Sequence, residues 1–212
     1  MQETLNKHKH NWADKDYASS AIGGLFFLLI SLVFNYFTNN YAASRQSNFV
    51  NDIILDNIPT LNVEIIVIYG ALFLILFIAV LIILEPKRLP FVVKSVALFI
   101  VIRAVFMTLT HIAPSPDSIT LGDGKLLNLL GLNGTGDLFF SGHTGFPFLL
   151  ALTFWDNKRL RLPFVFISIV LAASVLLGHL HYSIDVFAAY FITYTIFCLA
   201  RRFFSKDFKY LN

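Results

Sequence analysis

Six long apolar runs constrain the fold of this 212-residue chain more than any other feature of its sequence. The runs cover Tyr17–Phe37, Val63–Leu84, Leu89–Ile112, Leu138–Trp155, Leu160–Leu177 and Leu180–Phe204. A bilayer core about 30 Å thick requires about 20 apolar residues per helix, and most of the runs reach that length. Backbone in lipid must satisfy its own hydrogen bonds, which favours helices over loops. The sequence therefore predicts an all-α integral membrane protein with six transmembrane helices.

The composition excludes several other classes of protein. Apolar residues make up 57% of the chain and charged residues 14%, whereas soluble domains are about 45–50% apolar and about 25% charged. This excludes a disordered or fibrous protein and an ordinary soluble enzyme. The single cysteine, Cys198, excludes a disulfide framework within the chain and a cysteine-rich metal site.

The basic residues predict the orientation in the membrane. Twelve of the 16 Lys and Arg residues lie in the two terminal tails and in the second-to-third and fourth-to-fifth connections, whereas only Arg45 and Lys125 lie on the opposite side. Because cytoplasmic segments carry the excess of basic residues, both termini are expected in the cytoplasm. The predicted organisation is a basic tail over residues 1–16, a six-helix catalytic domain over 17–204 and a second tail over 205–212.

Ionisable residues near a membrane interior are costly, which makes them candidates for function. They fall in three groups at or near the outer ends of spans three to six: Arg103 with His111, the segment Gly136–Thr144, and the segment His179–Asp185. These groups predict an active site at the outer face. His179 is expected to lie at the membrane interface and to take no part in catalysis. His111 is also expected at the interface, with a position facing the site as the alternative.

Two of these groups have the chemistry of phosphoryl transfer. His181 and Asp185 are four residues apart and can touch if both lie on the first turns of a helix; a carboxylate on one imidazole nitrogen makes the other a better nucleophile or base. Ser141 and Gly142 are typical of a helix start, where backbone N–H groups bind anions. With His143 beside them, one histidine would attack phosphorus and the other would protonate the leaving oxygen.

Both histidine segments resemble those of the sphingomyelin synthase family. Residues 136–144 read G-D-L-F-F-S-G-H-T and resemble its G-D-x-x-x-S-G-H-T segment. Residues 181–190 read H-Y-S-I-D-V-F-A-A-Y and resemble its H-Y-T-x-D-V-x-x-x-Y segment, with Ser183 in place of threonine. The match covers spans three to six, residues 89–204. That family lies within the type 2 phosphatidic acid phosphatase superfamily of six-helix lipid phosphatases and phosphotransferases.

The resemblance implies a role for each matching residue. His181 would be the nucleophile that forms a phosphohistidine, Asp185 would orient it, and His143 would act as general acid and base. The substrate-binding residues would be Asp137, Ser141, Gly142, Arg103 and Tyr182. The resemblance implies no metal and no organic cofactor.

The chain departs from the phosphatase branch of the superfamily at two cationic positions. The Lys-x6-Arg-Pro motif of that branch, counted from Lys94, meets Val101 and Ile102 here, and Val175 stands where that branch has an arginine. A phosphomonoester dianion needs more fixed positive charge than a phosphodiester monoanion. The departures therefore favour transfer of a diester headgroup. The animal-type synthases also carry an acidic residue where Leu180 stands, so the donor headgroup stays open.

The predicted function is transfer of a phospho-headgroup from a phospholipid to a lipid hydroxyl of ceramide or diacylglycerol type. The expected partners are membrane lipids and no nucleic acid. The expected location is a bacterial inner membrane with the site facing the periplasm, or a eukaryotic membrane with the site facing the lumen. Three alternatives remain: a lipid phosphate phosphatase, a haem or metal membrane protein using His143, His179 and His181, and an intramembrane serine hydrolase using Ser141.

Overall fold

A computed structural model describes residues 2–122 and 138–211, and every regular element in these residues is helical. The helices are α1 (Gln2–Ala13), α2 (Lys15–Ser44), α3 (Glu64–Leu84), α4 (Leu89–Leu109), α5 (Gly142–Thr153), α6 (Lys158–Leu177), α7 (Ser183–Phe203) and α8 (Ser205–Lys209). Short 3-10 turns cover Leu55–Asn57 and Pro86–Arg88. The all-helical fold that the apolar runs predict is confirmed for the described residues.

Five of the helices are long and apolar enough to cross a bilayer: α2, α3, α4, α6 and α7. Their outward faces carry large apolar side chains, among them Ile65 at 71% and Phe191 at 77% exposed. Exposed apolar surface on this scale is stable in lipid and unstable in water. The chain is therefore built as an integral membrane protein.

The fourth apolar run folds differently from the prediction. Leu138–Trp155 was expected to be one span, but the helix in it, α5, has only 12 residues and begins at Gly142. At 1.5 Å per residue it is about 18 Å long, shorter than a bilayer core of about 30 Å. Residues 138–141 bend before the helix, and Phe154 closes it. The count of six spans stays a prediction.

The short helix α5 lies in the centre of the bundle, between α4, α6 and α7. One apolar cluster joins α4, α5 and α7 through Phe99, Phe140, Leu149 and Ile196. At Gly145 the helices are so close that an added Cβ would lie 2.7 Å from Thr193 Oγ1 and 2.9 Å from Phe99 Cε2. This packing fixes the start of α5 against α4 and α7.

The basic residues gather at one end of the bundle, here called the basic end, where the turn Pro86–Arg88, the start of α6 and the C-terminal helix α8 meet. Lys94 Nζ reaches this end and binds Asp207 Oδ2 at 2.7 Å and Ser20 Oγ at 2.6 Å. Tyr17, on α2, donates its hydroxyl to the Pro86 carbonyl at 2.6 Å. These contacts close the basic end, and His143 and His181 lie at the opposite end of the bundle.

Candidate active site

The start of α5 is capped by Ser141, as the sequence predicted. The Ser141 hydroxyl accepts the Thr144 backbone N–H at 3.3 Å and lies 3.1 Å from the Thr144 hydroxyl. Gly142 and His143 follow as the first two helical residues. His143 thus stands on the first turn of α5, where backbone N–H groups point outward and attract anions.

The second histidine precedes α7. The helix begins at Ser183 with Tyr182 as its N-cap, so His181 lies just before it. The two residues therefore do not both lie on the first turns of the helix, but their side chains do meet. Asp185 Oδ2 accepts the Tyr182 backbone N–H at 3.0 Å and lies 3.5 Å from His181 Nδ1. The carboxylate therefore accepts the N–H of the cap residue and lies beside the imidazole.

The two helix starts come together at one point. The Ser141 backbone N–H donates to the Asp185 carbonyl at 3.1 Å, joining the start of α5 to the first turn of α7. The ring centroids of His143 and His181 are 6.3 Å apart, with the planes at 60°. His143 Nε2 is buried and has no hydrogen-bond partner among the described residues. Two imidazoles therefore face a common space, and one of them is backed by a carboxylate.

Arg103 brings a positive charge to this space from α4. Its side chain is buried, and Nε donates to the Phe140 carbonyl at 2.8 Å. The guanidinium lies against Gly142, where a Cβ would be 3.3 Å from Cζ. It is close enough to interact electrostatically with both Asp185 and His143. A guanidinium beside a helix start is an arrangement suited to phosphate oxygens.

Two other predicted substrate-binding residues have different outcomes. The hydroxyl of Tyr182 donates to the Ala113 carbonyl at 2.9 Å and accepts the Val50 N–H at 3.4 Å. Its side chain therefore joins two connections outside the helices. Asp137 lies outside the described residues.

His179 is buried, with only 5% of its surface exposed, whereas an interfacial position was expected. It occupies the turn between α6 and α7 with a φ of 52°, a left-handed conformation that non-glycine residues seldom adopt. Its Nδ1 lies 3.4 Å from Thr60 Oγ1. The contact attaches the connection after α2 to this turn.

The sequence analysis missed Asp52, which lies in the connection between α2 and α3. Its Oδ2 accepts the Ser183 backbone N–H, at the start of α7, at 2.6 Å. Burial alone would raise the pKa of Asp52, but hydrogen bonds from Ser183, Ile54 and Leu55 hold the pKa below its ordinary value of 3.8. The carboxylate is therefore ionised at neutral pH. No local pattern links residues 52 and 183, because they are 131 positions apart.

The geometry also bears on two of the alternative functions, the serine hydrolase and the metal-binding protein. A serine nucleophile needs its hydroxyl on a histidine, whereas Ser141 Oγ interacts with the N–H and hydroxyl of Thr144. Among residues 2–122 and 138–211, no three His, Cys, Asp or Glu side chains converge as metal ligands would.

The comparison with known protein families points to the same part of the chain as the candidate site. Residues 134–202, about a third of the chain, match the family model described as PAP2 superfamily C-terminal. This segment contains His143, His181 and Asp185. No curated protein and no solved structure matches the chain. The segment that carries both histidines thus supports a place for this chain in the type 2 phosphatidic acid phosphatase superfamily.

Proposed function

We propose that the protein is a membrane lipid phosphotransferase that moves a phospho-headgroup from a phospholipid to the hydroxyl of a second lipid. One observation carries this proposal: His143, the His181–Asp185 pair and Arg103 meet at one end of the bundle. The family match suggests a lipid phosphatase or phosphotransferase. The site would face the periplasm of a bacterial inner membrane, or the lumen in a eukaryote.

In the first step His181 is the nucleophile. Because Nδ1 faces Asp185 at 3.5 Å, Nε2 is the nitrogen left to attack phosphorus. The N–P bond forms as the P–O bond to diacylglycerol breaks, and His143 donates its proton to the departing oxygen. The centroid distance of 6.3 Å allows one phosphoryl group to lie within reach of both rings.

In the second step the roles of the histidines reverse. His143, now neutral, accepts the proton of an acceptor hydroxyl, whose oxygen attacks phosphorus. The N–P bond to His181 breaks, and the headgroup passes to ceramide or diacylglycerol. Arg103 and the N–H groups at the start of α5 stabilise the negative charge on the phosphoryl oxygens in both steps. Asp137 and Tyr182 complete the substrate-binding set implied by the family resemblance.

The surroundings of Val175 favour a diester donor. Val175 is fully buried and packs with Val67, Ala172 and Val186 in an apolar cluster. Its carbonyl accepts the N–H groups of Leu180 at 2.9 Å and His181 at 3.4 Å. Val175 therefore lies directly beside His181, the proposed nucleophile. The position at which the phosphatase branch has a second cation is thus occupied by an apolar side chain. The absence of one cation weakens the binding of a monoanionic diester less than the binding of a dianionic monoester.

A lipid phosphate phosphatase is the second candidate, because the matching family model belongs to a superfamily that includes phosphatases. Water would then be the acceptor in the second step. The two candidates share the first step and the phosphohistidine, and they differ in the donor and in the final product.

The test is lipid mass spectrometry of vesicles that contain the protein, a mixture of phospholipid donors and a ceramide or diacylglycerol acceptor. We expect faster turnover of phosphodiester lipids than of phosphatidic acid at matched concentration, with a new phospholipid as product. His181→Ala should abolish this turnover, and His111→Ala is the matched control, since His111 packs on Tyr41. A preference for phosphatidic acid, with free phosphate as the sole product, would establish the phosphatase instead.

A further inference from the structure

A carboxylate from outside the family-matched segment is bound to the start of α7, two residues after His181. Asp52 is 8% exposed and lies in the connection that follows α2. Its Oδ1 accepts the backbone N–H groups of Ile54 at 2.9 Å and Leu55 at 3.2 Å, while Oδ2 accepts that of Ser183 at 2.6 Å. Both oxygens are therefore engaged, and the side chain has a fixed direction.

Two carboxylates share the first N–H groups of α7. Asp185 Oδ2 accepts the N–H of Tyr182 at 3.0 Å, and Asp52 Oδ2 accepts the N–H of the next residue, Ser183. Helix starts attract carboxylates through unpaired N–H groups and through the helix dipole. Because Asp52 occupies the Ser183 N–H, Asp185 can stay on Tyr182 and beside His181.

We propose that Asp52 is a positioning residue that keeps Asp185 on His181 by satisfying the competing Ser183 N–H. Without the Asp52 carboxylate, a partly buried N–H at the start of α7 loses its acceptor, which costs free energy. Asp185 is the nearest carboxylate on the same helix turn and would rotate toward that N–H. His181 would then lose the partner that orients its attacking nitrogen. The effect on turnover rests on the function proposed above, whereas the effect on the helix start does not.

The connection that carries Asp52 is held against the same region by further bonds. The Val50 N–H donates to the Tyr182 hydroxyl at 3.4 Å, and the Leu61 N–H donates to the Leu177 carbonyl at 2.8 Å. These bonds flank Asp52 on both sides and do not involve its side chain. A change confined to the Asp52 carboxylate therefore leaves the connection in place.

The primary test compares Asp52→Asn with Asp56→Asn. The Asn side chain keeps the shape of the Asp side chain but has only one acceptor oxygen. The native Asp52 uses both of its oxygens as acceptors. Asp56 is an exposed carboxylate on the same connection, so its variant controls for loss of charge. In Asp52→Asn we expect a kcat about 10-fold or more lower, with KM within about twofold of the native value. Hydrogen exchange of the peptide 182–186 should be faster, and Asp56→Asn should match the native protein in all three measurements.

A double variant tests the competition itself. Ser183→Pro removes the N–H for which the carboxylates compete, and proline is well tolerated at the first position of a helix. Tyr182, with φ −71° and ψ 158°, already has the extended conformation that a residue before proline prefers. The double variant Asp52→Asn/Ser183→Pro should therefore recover most of the kcat lost in Asp52→Asn.

The remaining outcomes overturn the proposal. If the kcat and exchange rate of Asp52→Asn match those of Asp56→Asn, Asp52 does not position Asp185. A raised KM with unchanged kcat would make Asp52 a substrate contact, and a double variant as slow as Asp52→Asn would exclude the competition. If the native protein turns over no lipid phosphoester, the proposed function fails. In that case the hydrogen-exchange measurement alone tests whether Asp52 is a positioning residue. Faster exchange in Asp52→Asn would still support that role.

Discussion

The guanidinium of Arg103 lies directly on Gly142, at the first position of α5. A Cβ added to Gly142 would be 3.2 Å from Arg103 Nε and 3.3 Å from Cζ, closer than side chains normally approach. Nε is already fixed by the Phe140 carbonyl at 2.8 Å. The absence of a side chain at residue 142 therefore allows a buried cation to reach the turn that carries His143.

Gly142→Ala should displace this cation and slow the reaction. The added methyl group pushes the guanidinium by a few tenths of an ångström and weakens its hold on the phosphoryl oxygens. We expect kcat/KM to fall about 10-fold, while the thermal midpoint moves by less than about 4 °C. Gly23→Ala is the matched control, because no atom lies within 4 Å of a Cβ at that position. Equal activity of both variants would contradict a role for Arg103 in the site.

The two histidines should respond differently to alanine substitution. His181→Ala should abolish labelling of the protein by a donor lipid with radioactive phosphate, because the proposed nucleophile is lost. His143→Ala should still form the labelled intermediate, but more slowly by about 10²–10⁴-fold, since the leaving oxygen lacks its proton donor. Rapid-quench labelling measures both rates.

A donor with a good leaving group separates the two roles further. A nitrophenyl phosphodiester needs no proton to depart, so it should restore much of the rate in His143→Ala and none in His181→Ala. Rescue of His181→Ala alone would reverse the assignment. Full activity of both variants with the natural donor would exclude the phosphohistidine mechanism.

The charge distribution predicts which end of the bundle faces the cytoplasm. In a Cys198→Ser background, which removes the single native cysteine, a cysteine at the exposed residue Asp117 should react with a membrane-impermeant maleimide in intact cells. A cysteine at the exposed residue Asp156, near the start of α6, should react only after the membrane is opened. Labelling of position 156 in intact cells would place the histidine end in the cytoplasm.

Gly145→Ala should destabilise the bundle. The new methyl group would lie 2.7 Å from Thr193 Oγ1 and 2.9 Å from Phe99 Cε2, so α5 has to move away from α4 and α7. We expect a loss of about 1–3 kcal/mol of unfolding free energy, measured as the thermal midpoint in detergent. Thr193→Ala removes the nearest atom and should restore part of the loss. A thermal midpoint equal to that of Gly23→Ala would show that α5 can move away from α4 and α7 without a loss of stability.

Local patterns were enough to predict most helices, and they singled out His143, His181 and Asp185, which the structure brings together. The third apolar run, Leu89–Ile112, and α4, Leu89–Leu109, begin at the same residue. Apolar length is a local property, so it can be read along the chain. The Ser141 cap was predicted, but the short length of α5 was missed, because the apolar run Leu138–Trp155 extends beyond both ends of the 12-residue helix. Apolar length alone does not mark where a helix begins or ends.

The sequence by itself determined that this chain is an apolar helical protein with two histidine segments typical of phosphoryl transfer. Each of those features depends on residues a few positions apart. The tertiary structure decided that His143 and His181 lie 6.3 Å apart, that Arg103 rests on Gly142, and that Asp52 holds the start of α7. These contacts join residues 38 to 131 positions apart. They arise from the close packing of α4, α5 and α7 and from the direction of each connection, which no local pattern of residues specifies.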